Sequence, residues 1–256
     1  EKPRDPGTDT YSVEYTHVTH AGQRMRTIVT RPKAPGKHPG FLFIQGDLKD
    51  LDDLKEASKG HDAVFHFASN PDIARGLLET DLDLKEGTLL TYNVLEAMRL
   101  NGIKNITYTS GSGIYGDQGA RSVAEDFGPL LPVSLYGANK LASEGLISAF
   151  CHMFGMGAYI FRLANVVGAR QTHGVTFDFI RKLKEKPGSL EILGDGKQSK
   201  SYIHVEDVVG ALLYVGKGRH APDWLSEVRD SRDRARCAPT FAPEGLYLSG
   251  VEYGAE

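Results

Sequence analysis

The alternation of strand-like and helix-like segments between residues 46 and 215 is the feature that most constrains how this chain folds. Short apolar runs, such as 62–68 and 105–110, have the length and composition of buried strands. Each run is followed by a longer segment whose apolar residues recur at helical spacing, as in 82–102 and 134–155. Strands that alternate with helices in this way form a parallel sheet with helices on both faces. The sequence therefore predicts an α/β domain over residues 46–215.

The two ends of the chain have a different character. Residues 1–45 contain three runs typical of short strands, at 11–18, 25–30 and 41–45. Residues 216–256 combine a charge-dense stretch, which we interpret as an exposed helix, with a loop-like remainder. We therefore predict three segments, with boundaries after residues 45 and 215.

The composition is that of an ordinary globular protein. The chain has 256 residues, of which 40% are hydrophobic and 25% charged, so it is long enough to bury a core. The net charge of −3 and the lack of a basic run predict no nucleic-acid partner. Because no apolar stretch approaches the ~20 residues of a membrane span, we expect no membrane partner either. The first ten residues are polar and do not resemble an export signal.

Cysteine and histidine usage narrows the chemistry further. The two cysteines, Cys151 and Cys237, are too few for a disulfide framework, so a reducing, cytoplasmic location is expected. The histidines show neither H-x-x-x-H nor H-E-x-x-H spacing. We therefore predict no metal site.

Tyr136 and Lys140 form the only Tyr-x-x-x-Lys pair of the chain, within the predicted helix at 134–155. Residues four apart share one face of a helix, with Cβ atoms about 5–6 Å apart. A lysine ammonium at that distance favours the phenolate and lowers the tyrosine pKa from its usual value of ~10. Such a phenol can exchange a proton with a substrate alcohol that a nicotinamide cofactor oxidises. The alternative is a tyrosine that covers the core and a lysine that reaches solvent.

Several motifs around this pair occur in the order of one enzyme family. The matching stretches are GDL (46–48), DAVFHFASNPD (62–72), TYNVLEAMR (91–99), IYGD (114–117), SLYGANKLASE (134–144), FRLANVVGAR (161–170), THGVTFDFI (172–180) and LGDGKQSKSYIHVEDVV (193–209). On these stretches, residues 46–215 resemble the extended short-chain dehydrogenase/reductase family, and within it the archaeal-type UDP-glucose 4-epimerases. The resemblance implies a Rossmann-like parallel sheet, an NAD cofactor and a UDP-sugar substrate.

The resemblance also assigns catalytic and cofactor roles residue by residue. Tyr136 is then the acid/base, and Lys140 binds the nicotinamide ribose and lowers the pKa of the tyrosine. Other cofactor contacts fall on strand ends: Asp47, Leu48, Phe67, Ala68, Ser69, Thr109 and Leu163. Taken from the residues alone, Asp47 is equally well a solvated turn residue, and a strand end of small residues is equally well a turn into a helix.

The implied substrate contacts lie later in the chain. Asn165 and Lys200 correspond to residues that bind the sugar diphosphate, and the backbone of Ile192 and Leu193 to the part that holds the uracil. An asparagine that satisfies a loop backbone and a solvated lysine are the simpler alternatives. In the implied reaction, Tyr136 takes the proton of the sugar 4-hydroxyl while the C4 hydride passes to NAD. The 4-keto sugar then rotates and takes the hydride back on its other face.

The sequence departs from this family pattern at both ends. The family opens with a strand–GxxGxxG–helix unit whose backbone approaches the cofactor pyrophosphate. Residues 1–45 contain no such unit, so we expect the first βαβ unit to be replaced by short N-terminal β-strands. Beyond about residue 215 the substrate lobe of the family is not recognisable, and we expect it to be truncated.

Two further departures affect the site itself. Gly111 stands 25 residues before Tyr136, where the family has a catalytic Ser or Thr, and it has no hydroxyl. Ser110 and Ser112 flank it and are the candidate substitutes, although neighbouring residues of a strand point to opposite faces. Gly87 occupies the place where the family usually has an asparagine that touches the cofactor.

Two functions therefore remain open. One is an NAD-dependent UDP-glucose/UDP-galactose 4-epimerase; the other is a non-catalytic recombinant or relic domain that at most binds a nucleotide or sugar nucleotide. Residues 1–45 weakly resemble the N-terminal strands of α/β-hydrolases, but the chain lacks the G-x-S-x-G motif that a hydrolase needs. A sheet that lacks its first strands has open edges. Either the N-terminal strands complete that sheet, or a second copy of the chain covers it in a homodimer.

Overall fold

The structure is a computed structural model that describes part of the chain. Backbone and side chains are described at 48–70, 73, 75–119, 121, 123–169, 171–192, 196, 200–212 and 227. The backbone alone is described at 11–20, 23–32, 41–45 and 213–216. The exposed helix expected in the C-terminal segment falls almost wholly outside these residues.

The N-terminal strands form a sheet of their own. Strands β1 (Tyr11–His20), β2 (Gln23–Pro32) and β3 (Phe41–Gln45) follow one another in an antiparallel meander. The register of the first pair runs from Tyr11↔Pro32 to His20↔Gln23. The three predicted strands are therefore confirmed. The idea that they complete the sheet of the α/β domain is wrong, because they hydrogen-bond only to one another in the described strand order.

The α/β part contains two further sheets. Strands β4 (Ala63–His66), β5 (Asn105–Gly111) and β6 (Gly157–Leu163) form a parallel sheet in the order β4-β5-β6. Strands β7 (Asn165–Val167) and β8 (Tyr202–His204) form a parallel pair. The predicted Rossmann-like α/β class, with its first βαβ unit replaced by short strands, is confirmed.

Five α-helices accompany these strands in the described residues: α1 (Leu51–Ser58), α2 (Leu89–Asn101), α3 (Leu135–Phe154), α4 (Val175–Glu185) and α5 (Val205–Gly216). Helices α2 and α3 lie within the helices predicted at 82–102 and 134–155. A short π-helical turn, Leu84–Thr88, leads into α2 and contains Gly87. Gly102 ends α2 with φ of 71°, a left-handed conformation that glycine adopts without strain. None of the described helices combines the length and the apolar character needed to cross a membrane.

The chain divides into two compact units. Among the described residues, the first unit comprises those up to Thr107 together with Ala142–Ala158, and the second comprises Tyr108–Leu141 together with those from Tyr159 onwards. Both units contain fully buried apolar side chains, such as Leu95 and Met98 in the first unit and Ile114 in the second.

Asparagine side chains attach α1 to α2 in the first unit. The Asn101 Nδ2 donates to the Lys55 carbonyl at 2.6 Å and to the Ser58 Oγ at 2.9 Å. The Asn93 Nδ2 donates to the Leu48 and Lys49 carbonyls, each at 3.0 Å, just before α1 begins. These bonds join the chain at both ends of α1 to α2.

In the second unit, the first turn of α3 touches the turn after β5. A Cβ at Gly137 would lie 2.6 Å from the Gly113 carbonyl oxygen and 3.0 Å from its carbon. No side chain fits at that distance, so the approach of the two backbones requires glycine at 137. Ser134 begins the helix, because its Oγ accepts a hydrogen bond from the Gly137 N–H at 3.0 Å.

This contact makes a first prediction. We expect Gly137→Ala to lower the free energy of unfolding by about 1–3 kcal/mol, because the added methyl group forces the two backbones apart. Gly145→Ala, in the same helix, is the matched control, because a Cβ there meets nothing within 4 Å. The control should raise stability by about 0.5–1 kcal/mol through its higher helix propensity. Urea unfolding of both variants checks the pair, and equal effects would contradict the contact.

Candidate active site

Tyr136 and Lys140 lie in the first two turns of α3, as the spacing predicts. Tyr136 is half-buried, whereas Lys140 is buried, with 6% of its surface exposed. The Lys140 Nζ lies 5.7 Å from the centroid of the Tyr136 ring. The alternative in which the lysine reaches solvent does not fit this burial.

The Lys140 ammonium has partners from the neighbouring strand β5. It donates a hydrogen bond to the Thr109 carbonyl oxygen at 2.8 Å. It also lies 4.9 Å from the centroid of the Tyr108 ring. A buried ammonium is stable only where polar groups replace its water shell. The end of β5 thus holds the Lys140 ammonium beside the Tyr136 phenol. Thr109 binds the ammonium through its backbone carbonyl rather than its side chain.

The two serines that flank Gly111 differ in exposure. Ser110 is 4% exposed, and its Oγ has no hydrogen-bond partner within the described part of the chain. Ser112 is exposed and begins the short 3-10 turn Ser112–Tyr115. The position that a Cβ would take at Gly111 lies 3.9 Å from the Leu163 carbonyl oxygen. Leu163 at the end of β6 therefore adjoins Gly111, and Ser112 is the more accessible candidate hydroxyl.

The expected substrate residues are not gathered into one cluster by the described contacts. Asn165 is exposed, and its Nδ2 donates to the Ser201 carbonyl at 3.1 Å, which is the loop-backbone alternative weighed for it. Ile192 is 48% exposed and Lys200 is exposed. Leu193 lies outside the described residues.

In the first unit, the expected cofactor residues sit at strand ends. Phe67, Ala68 and Ser69 follow β4; the phenyl ring is 44% exposed and the two small residues are half-buried. The Ser69 Oγ donates to the Asn70 carbonyl at 3.2 Å. Leu48 is half-buried, and its carbonyl accepts the hydrogen bond from Asn93 of α2. Asp47 lies outside the described residues.

A buried hydrogen-bond chain supports the end of β4. The His66 Nε2 lies 3.0 Å from the Thr91 Oγ1, which donates to the Gly87 carbonyl at 3.0 Å. The Thr91 hydroxyl donates its proton to the Gly87 carbonyl, so it accepts a hydrogen bond from His66. The histidine therefore carries its proton on Nε2. The Gly87 carbonyl thus accepts the last hydrogen bond of this series, a structural role that was not predicted from the sequence.

The loop that leads to α3 has two features that were not predicted from the sequence. A G-x-x-G-x-x-G spacing occurs at Gly113, Gly116 and Gly119, but it follows β5 and enters a 3-10 turn rather than a helix. Arg162 fixes the same loop, since its Nη1 donates to the Tyr115 hydroxyl at 3.0 Å and to the Glu125 carbonyl at 2.6 Å. The sequence did contain one indication of this contact, because an arginine within the otherwise apolar strand β6 requires a polar partner.

Cys151 gives no sign of a reactive thiol. Burial raises the pKa of the Cys151 thiol, which favours its neutral form. The thiolate is the nucleophile in cysteine chemistry, so this environment does not activate the residue.

The two serines beside Gly111 make a second prediction. Ser110→Ala should leave the free energy of unfolding unchanged or raise it by up to about 1 kcal/mol, because it removes a buried hydroxyl that lacks a partner. Ser112→Ala should change it by less than ~0.5 kcal/mol, because the side chain is exposed. Chemical denaturation measures both. A loss above ~1 kcal/mol for Ser110→Ala would mean that its hydroxyl makes a bond essential to the fold.

The comparison with known proteins adds relatives that share this architecture. The chain is 31% identical over 197 residues to the putative UDP-glucose 4-epimerase of Methanocaldococcus jannaschii, covering 75% of this chain and 62% of the relative. The solved structure of MoeE5 in complex with UDP-glucose and NAD is 32% identical, with a TM-score of 0.62, over 70% of this chain and 59% of MoeE5. The chain thus spans about three fifths of the length of either protein.

A shorter match concerns a different enzyme. Over 57 residues, 22% of this chain, the sequence is 49% identical to tRNA pseudouridine synthase A of Janthinobacterium, of which it covers 21%. So short a match does not assign the chain to that enzyme. The prediction that the chain joins pieces of unlike origin remains a prediction.

The family profile covers most of the chain. The profile of the NAD dependent epimerase/dehydratase family matches residues 12–223, which include every described helix and strand except the first residue of β1. Together with the archaeal relative and the shared fold, this match establishes that the chain belongs to the NAD dependent epimerase/dehydratase family.

Proposed function

We propose that this chain acts on a UDP-sugar as an NAD-dependent 4-epimerase, with Tyr136 as the acid/base. The observation that carries the proposal is the buried Lys140 ammonium, which is bound to the Thr109 carbonyl at 2.8 Å and lies 5.7 Å from the Tyr136 ring centroid. A positive charge so close to a phenol stabilises the phenolate, which is the form that accepts a proton.

The residues present fit the reacting end of NAD. Lys140 brings an ammonium to the end of β5, and its N–H donors suit the hydroxyl groups of a ribose. When bound, NAD supplies the acceptor for the hydride of the sugar. The residues that would hold it are those predicted from the sequence: Asp47, Leu48, Phe67, Ala68, Ser69, Thr109, Tyr136, Lys140 and Leu163.

The chain's own residues carry the proton chemistry in this proposal. Tyr136, as phenolate, takes the proton of the sugar 4-hydroxyl and returns it after the 4-keto sugar has rotated. Lys140 keeps the charge of the phenolate stabilised throughout. The side chain of Ser112 supplies the hydroxyl that Gly111 lacks, since it is exposed where Ser110 is buried.

The substrate is a UDP-sugar, by analogy with the archaeal relative and with MoeE5. Lys200 is exposed and can bind a diphosphate, for which a cation is suited. Asn165 would have to exchange its bond to Ser201 for one to the ligand. The backbone of Ile192 and Leu193 is assigned to the uracil.

A second function is favoured by two specific observations. Gly111 has no hydroxyl, and residues 1–45 contain no glycine-rich strand–turn–helix motif of the kind that cradles a pyrophosphate. In this alternative, the chain is non-catalytic and at most binds a nucleotide or sugar nucleotide.

For the epimerase, we also propose a cytoplasmic location and a homodimer, and both rest on the sequence and the family alone.

The acid–base role gives a third prediction. If the chain epimerises UDP-galactose, Tyr136→Phe should lower kcat by about 100-fold or more, because proton transfer by a positioned side chain contributes 10²–10⁴-fold. NAD released on denaturation of the purified protein should be found for both forms, since the phenol hydroxyl is not the main cofactor contact. Equal turnover of the two forms would remove Tyr136 as the acid/base. Nucleotide binding without turnover in either form would favour the non-catalytic alternative.

The missing hydroxyl gives a fourth prediction. Gly111 has extended backbone with φ of −152° and ψ of 161°, which any residue adopts. Gly111→Ser should therefore fold normally and raise kcat by roughly 10-fold or more, by placing a hydroxyl where the family has one. Gly111→Ala is the matched control, because it adds the same Cβ without the oxygen. A serine variant no faster than the alanine variant would contradict a role for a hydroxyl at this position.

A further inference from the structure

The ring of Tyr108 lies closer to the Lys140 ammonium than the ring of Tyr136 does. Tyr108 lies in β5, immediately before Thr109, and is 1% exposed. The Lys140 Nζ is 4.9 Å from the centroid of the Tyr108 ring and 5.7 Å from that of Tyr136. An ammonium over an aromatic face is attracted by the negative charge of that face, most strongly where both groups are shielded from water.

The burial of Lys140 gives this contact its importance. An ammonium carries three N–H donors and loses the water that would satisfy them when it is buried. The Thr109 carbonyl accepts one of these donors. The face of Tyr108 lies beside the same charge and comes from the same strand, so β5 fixes the cation through a backbone oxygen and an adjacent ring.

We propose that Tyr108 is a positioning residue, whose buried ring face holds the Lys140 ammonium beside the phenol of Tyr136. The inference rests on the proposed acid–base role of Tyr136. Tyr108 from β5 and Tyr136 from α3 face the ammonium, and Glu144, buried one turn after Lys140, is the next charged group along α3. Loss of the ring face leaves the cation less well held, and the phenolate of Tyr136 then loses part of its stabilisation.

The test is a titration of Tyr136 that needs neither substrate nor cofactor. Protein labelled with ¹³C at the tyrosine Cζ is titrated by NMR, and the resonance missing from Tyr136→Phe assigns that residue among the 11 tyrosines. In wild type the midpoint should lie below ~10. Tyr108→Leu, which removes the ring, should raise it by about 0.5–1 unit. Tyr108→Phe, which keeps the ring and removes only the hydroxyl, should keep it within about 0.2 units of wild type.

A second aromatic–cation pair supplies the matched control. The Arg99 guanidinium lies 5.5 Å from the centroid of the Phe154 ring. Phe154→Leu removes a ring face of similar size without touching Lys140, and it should leave the Tyr136 midpoint unchanged. If Tyr108→Leu fails to fold, pentafluorophenylalanine at position 108 keeps the ring but removes the negative charge of its face, and it should raise the midpoint in the same way.

The outcomes separate the two proposals. A lowered wild-type midpoint that Tyr108→Leu leaves in place would overturn the positioning role alone. Equal rises in Tyr108→Leu and Tyr108→Phe would also overturn it, since the hydroxyl rather than the ring face would then be responsible. A wild-type midpoint in the ordinary range of ~10 would overturn the acid–base role of Tyr136 together with it.

Discussion

The second unit depends on one buried positive charge. The Lys140 ammonium is buried, and its described partners include a carbonyl and two aromatic rings from β5 and α3. Such a cation requires the first two turns of α3 to lie close against the end of β5. The close approach of Gly113 and Gly137 allows this, because neither residue has a side chain in the contact. The placement of Lys140 beside Tyr136 is therefore a consequence of how the end of a strand packs against the start of a helix.

Much of the fold could be predicted because its signals are local. The apolar spacing located α2 and α3, and Gly102 marked the end of α2, where the chain turns left-handed. The short runs in residues 11–45 were correctly predicted as strands. Their partners were not, because pairing between strands depends on contacts that no local pattern encodes.

The finer features of the site depend on long-range contacts. Ser110 and Ser112 are equivalent in sequence, yet one is buried and the other exposed, because β5 ends between them at Gly111. Asn165 binds the carbonyl of Ser201, 36 residues further along the chain. Tyr108 looks like any apolar residue of a strand until its ring is found under Lys140. Each of these roles is set by a partner that lies far away in sequence or on another element.

The pattern of kept and lost residues has a physical explanation. Lys140 fills a buried position and Gly137 permits a close backbone contact, so their replacement would disturb the fold itself. A hydroxyl at position 111 contributes nothing to packing, because the Cβ position there is open and the backbone accepts any residue. Selection for a stable fold alone would keep the first two and ignore the third. A site can therefore retain the geometry of its acid–base pair after it has lost a group that only the reaction needs, and resemblance at Tyr136 and Lys140 is stronger support for ancestry than for turnover.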